Sequence, residues 1–130
     1  MYRALILLAE DLELERFRDK LIERFASYPD SSRPVLSSSH VGLVLKFGDY
    51  VFEISKTQGD HVRTESAEIA AQFAPASERE AIARVAVRLE VVSTAPDDDM
   101  LHFNDLVAIL EVAEGLGKAW LFDAVAGEFM

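Results

Sequence analysis

The chain has 130 residues, a formal net charge of −10, half of its residues hydrophobic, and no cysteine. Such a length and composition describe one domain, residues 1–130, able to bury a core without cross-links. The lack of cysteine excludes disulfides, thiolate nucleophiles and cysteine-based zinc sites. The negative charge argues against nucleic acid or an anionic membrane as a partner, because both surfaces repel it.

The acid is unevenly spread. Residues 1–94 hold 15 acidic and 12 basic side chains, whereas residues 95–130 hold 8 acidic side chains against Lys118 alone. A basic partner or a cation would therefore be drawn to the C-terminal quarter.

Tyr2 to Leu8 is apolar on both alternating faces apart from Arg3, the pattern of a central strand covered on both sides. The run Ala4-Leu5-Ile6-Leu7-Leu8-Ala9 is too short for a membrane span, and Glu10 and Asp11 follow it where a signal peptide would carry its cleavage region. The expected compartment is the cytoplasm. Asp11 is placed to cap a helix in which Leu14, Phe17, Leu21 and Phe25 form one apolar stripe. Tyr28 to His40, with two prolines and five serines, reads as a long loop.

Val41 to Ser55 carries a hairpin pattern. Leu43, Leu45 and Phe47 alternate with Val44 and Lys46, and beyond Gly48-Asp49, Tyr50, Phe52 and Ile54 alternate with Val51 and Glu53. Placing Phe47 opposite Tyr50 sets Leu45 against Phe52 and Leu43 against Ile54, all on one face. A polar turn with Gly59 and a helix ending before Pro75 follow, with Val62, Ile69 and Phe73 expected inward. Ser77-Glu78-Arg79-Glu80 has the spacing of a capping box. From Arg84, Val85, Val87, Leu89 and Val91 alternate with Arg88 and Glu90 as a further strand.

Ser93 to Pro96 breaks that strand before the stretch Asp97-Asp98-Asp99-Met100-Leu101-His102-Phe103-Asn104-Asp105. A helix with Phe103, Val107 and Leu110 on one side comes next, closed by Gly115 and Gly117, then strands at 119–122 and 128–130. The order βαββαβ followed by αββ predicts an α+β fold. Its expected form is an antiparallel sheet with helices on one face, a ferredoxin-like core extended by a C-terminal α-β-β unit.

Three roles suit the acidic stretch. Asp97, Asp98 and Asp99 are placed to cap and charge-stabilise a helix N-terminus, with His102 and Asp105 facing solvent. Alternatively, Asp99, His102 and Asp105 have donor types for a hard or borderline divalent ion, and His102 and Asp105 sit three apart on one helix face. Calcium-loop, phosphate-loop and serine-nucleophile motifs are all missing, so no cofactor is indicated and catalysis is the less favoured class. As a third role, Asp97, Asp98, Asp99, His102 and Asp105 form a surface for a basic protein, as expected of small acidic inhibitors such as immunity proteins. Arg3, Lys46, Glu53, Arg84, Arg88 and Glu90 are expected on a shared polar sheet face. A homodimer would form through that face, or edge to edge through the hairpin strand.

Overall fold

The computed structural model describes residues 1–39 and 42–130. The expectations for His40 and Val41 lie outside these residues. Among them the chain forms β1 (Tyr2–Leu8), α1 (Leu14–Phe25), β2 (Val35–Ser38), β3 (Gly42–Phe47), β4 (Tyr50–Gln58), α2 (Asp60–Phe73), α3 (Arg79–Ala83), β5 (Val87–Ser93), α4 (Phe103–Gly115), β6 (Ala119–Asp123) and β7 (Glu128–Phe129). The α+β class holds, on one seven-stranded sheet whose paired strands all run antiparallel.

The hairpin forms in the expected register, with Phe47 opposite Tyr50, Leu45 opposite Phe52 and Leu43 opposite Ile54. Gly48 takes a positive φ of 64° in the turn, where a side chain would be strained. Gly42 is required for a different reason: a Cβ there would sit 1.8 Å from the Ile54 carbonyl oxygen.

The strand order is β2-β3-β4-β5-β1-β6-β7. This corrects the ferredoxin-like expectation, in which the second hairpin strand lies beside β1. Here β5 separates them, pairing with β4 on one side and β1 on the other. The split β-α-β unit is instead β5-α4-β6, wrapped around β1.

Helices on one face are also corrected. Ala4, Ile6 and Leu8 of β1 pack with Phe17, Leu21 and Phe25 of α1 and Leu106, Ile109 and Ala113 of α4. Leu5 and Leu7 turn to the opposite side, against Ala70 of α2, Ala74, Ile82 of α3, Val85 and Phe122. A strand apolar on both faces needs cover on both, and the two helical pairs supply it.

Local signals failed where tertiary contacts outweighed them. Asp11 does not cap α1; it pairs with Lys56 at 2.6 Å, and that hydrogen bond holds its carboxyl below the ordinary range. The capping box is not formed, because Glu78 precedes a five-residue helix with no side-chain cap. In α2 the inward residues are Val62, Ser66 and Ala70, whereas Phe73 is exposed. Small residues let this helix lie close to the sheet.

The stretch expected as a Tyr28–His40 loop holds a 3-10 turn (Asp30–Ser32) and, in β2, one of the two outermost strands. The hairpin strand β3 is consequently interior, which removes the edge-to-edge dimer expected through it. Register places Arg3, Lys46, Glu53, Arg88 and Glu90 on one sheet face as expected. Arg84 is not among them, since it ends α3. Arg88 is buried under α2 and pairs with Glu65. Among the described residues no helix is long and apolar enough to cross a membrane.

Candidate functional site

The acidic stretch leaves β5 at Ser93 and reaches α4 at Phe103, and Asp97 fixes the path between them. Its Oδ2 accepts the Tyr2 hydroxyl at 2.6 Å and the His102 backbone N–H at 2.9 Å. Its carbonyl accepts the Met100 N–H at 2.9 Å, closing a turn in which Met100 takes φ 55°. Positive φ is uncommon for a residue with a Cβ and persists only where surrounding bonds hold it.

A polar and aromatic cluster underlies this turn. The Ser93 hydroxyl accepts the Tyr2 N–H at 3.0 Å and lies 2.8 Å from the Tyr50 hydroxyl. Tyr50 donates to the Ala95 carbonyl at 3.1 Å, so Ser93 is the donor between the two hydroxyls. The His102 ring stacks on Tyr50 at 4.3 Å and 13°, and its Nδ1 bonds to Asp105 Oδ2 at 3.0 Å. Tyr2 lies between Tyr50, Phe52 and Phe103. Tyr50 thus buries its ring and Tyr2 partly buries its own, and each satisfies its hydroxyl.

The electrostatics follow from these contacts. Desolvation, the bond to Asp97 and that carboxylate's charge all push the Tyr2 phenol well above the ordinary tyrosine range. For Asp97, desolvation opposes ionisation. The hydrogen bonds from Tyr2 and the His102 amide, with the His102 charge, outweigh it and hold the carboxyl below the usual range.

The five candidate residues therefore separate. Asp97 is the internal tie, and it serves the amide of the residue before α4 rather than one within the helix; His102, at the cap position, makes no side-chain cap bond. The side-chain cap expected from one of Asp97, Asp98 and Asp99 is corrected accordingly. His102 and Asp105 are half-buried and paired, not solvent-facing. Asp98 and Asp99 stand exposed on the turn, beside exposed Met100 and Leu101. Among the described residues no three His, Asp or Glu side chains converge as a metal site, so Asp99 does not join His102 and Asp105 in one.

The sequence reading passed over Tyr2, Tyr50 and Ser93. Their one signal is a tyrosine, in place of phenylalanine, at two inward-facing strand positions. Alongside the turn lies a cavity of about 200 Å³ lined by Tyr2, Arg3, Ala4, Met100, Phe103, Leu106, Asp123 and Met130. Met100 and Met130 stand exposed at this cavity. No protein-family model, curated protein or solved structure matches the chain.

Proposed function

We propose that this protein is a binding module that holds a basic partner protein against its Asp97–His102 turn, in the manner of a stoichiometric inhibitor of the immunity type. The observation that carries the reading is the pairing of charge and apolar surface on one pinned turn. Met100 and Leu101 are 57% and 73% exposed, directly after Asp98 and Asp99. Exposed large apolar side chains on a held loop suit an interface, where they act as anchors while the acidic rim steers and orients the partner.

The neighbouring cavity supports the same reading. Its Phe103, Leu106 and methionine lining has room for one apolar side chain, and methionine adapts its shape to the guest. Asp123, also on its wall, adds acid from a second element. A recognised segment would present an apolar residue flanked by lysine or arginine. The absence of cysteine from the sequence suits a cytoplasmic setting.

Selection from a random peptide library on the immobilised protein tests this. The expected binders carry basic residues around a single large apolar residue, and they release as salt rises because exposed charges are screened over about 8–10 Å. Binders without basic residues, or ones that perturb resonances away from 97–103 in an NMR titration, would overturn the reading.

A further inference from the structure

We infer that the free edge of β2 is a self-association site, at which a second copy of this chain pairs antiparallel in a register centred on Ser37. The main-chain phase of β2 fixes this register, with no part played by the acidic turn. Ser39 and Gly42 exchange hydrogen bonds, at 2.8 and 3.3 Å. In an antiparallel ladder bonded pairs alternate with non-bonded ones. The pairs Ser37–Val44 and Val35–Lys46 therefore bond β2 to β3, while Leu36 and Ser38 direct their N–H and C=O groups outward. As β2 ends the sheet, those four groups face no further strand among the described residues.

Natural edges are blunted by charge, proline or a bulge. Val35-Leu36-Ser37-Ser38 has neither a charge nor a proline within it, and it pairs with β3 one to one. Val35 within it is 67% exposed, and Ile22 of α1 is 49% exposed. A cavity of about 210 Å³ opens there, lined by Ile22, Phe25, Arg33, Pro34 and Leu36, with no acid among them.

Charge does not bar a second copy at this edge. Two copies at −10 each repel over most of their surface, so they can meet only where acid is absent or neutralised. The acids that flank the cavity lining on its N-terminal side, Glu23 and Asp30, are each ion-paired, to Lys20 and Arg33. A two-fold axis at Ser37 sets Leu36 opposite Ser38 of the second copy, twice, so all four outward groups are bonded. Shifting the axis to Leu36 would oppose Ser38 to Pro34, which has no N–H to give.

Sedimentation of the full chain across a concentration series, with Ser37→Asp and Ser37→Lys variants, tests the inference. Ser37 is exposed, so both variants keep the fold. The axis puts residue 37 against its own copy, where like charges destabilise and opposite charges pair. Wild type should dimerise, each variant should be monomeric, and an equimolar mixture should recover the dimer. In wild type, amide exchange at Leu36 and Ser38 should slow by at least tenfold as concentration rises. A wild type monomeric at millimolar concentration would overturn the inference. So would variants that dimerise as wild type does, or a mixture that stays monomeric.

Discussion

The hydroxyl of Tyr2 donates to Asp97 Oδ2 at 2.6 Å across a separation of 95 residues, tying the start of β1 to the turn that enters α4. Because the same oxygen holds the His102 amide, losing Tyr2 would untie the turn from the strand end. The bond couples two titrations. The Tyr2 phenol is raised, so its stabilising effect is complete below the unfolded tyrosine value of about 10 and is lost as pH climbs above it. The Asp97 carboxyl is lowered, so its contribution is complete above about pH 4 and is lost as pH falls through the folded value. Denaturant midpoints across pH should decline at both ends, and Tyr2→Phe should remove the alkaline decline and flatten the acid one. An alkaline limb unchanged in Tyr2→Phe would show that the bond is not formed.

The hairpin offers a contrast between two adjacent residues. Phe52 is fully buried against Phe47, Tyr50 and Tyr2, whereas Glu53 is exposed on the opposite face. Phe52→Ala should cost about 3–5 kcal/mol, since the cavity adds to the lost transfer energy. Glu53→Ala should stay within about 0.5 kcal/mol. Equal losses in thermal unfolding would contradict the register.

That register was legible in the sequence because strand alternation and a Gly-Asp turn are local signals, and the α1 stripe was legible for the same reason. The position of β5 was not. Val87, Leu89 and Val91 announce an apolar face, but nothing local says that it lies between β4 and β1. The β2 strand was hidden by its serines, since an outermost strand needs few apolar residues. At the candidate site the acidic residues stand out by density, yet the one that organises the turn does so through Tyr2, at the other end of the chain. Such a contact has no sequence period to reveal it.

Beneath α2, Arg88 is buried and ion-paired to Glu65, with its Nε lacking a hydrogen-bond partner among the described residues. Removing only the acid would leave a buried charge uncompensated. Glu65 is about half exposed, at 48%, so water relieves part of the penalty. Glu65→Ala should cost roughly 1–3 kcal/mol, below the range for a fully buried pair. Arg88→Met, which removes the charge and keeps the bulk, should be neutral or stabilising. A larger loss in Arg88→Met than in Glu65→Ala would show that the guanidinium supports the fold.

Met100 separates binding from stability. Its φ of 55° strains a residue with a Cβ by about 1–2 kcal/mol, which glycine would relieve. Glycine also raises the entropy of the unfolded chain, an opposing effect of about 0.5–1 kcal/mol. Met100→Gly should therefore leave thermal stability within about 1 kcal/mol of wild type, while removing an exposed apolar anchor from the acidic turn. Binding of the selected basic peptides should fall by about tenfold or more, mainly through faster dissociation. Reversing Asp98 and Asp99 to Lys should chiefly slow association and reduce its dependence on salt, because those charges are exposed and act before contact. If Met100→Gly binds as wild type does and the double reversal leaves association unchanged, the turn is a structural tie between β5 and α4, and the partner surface lies elsewhere.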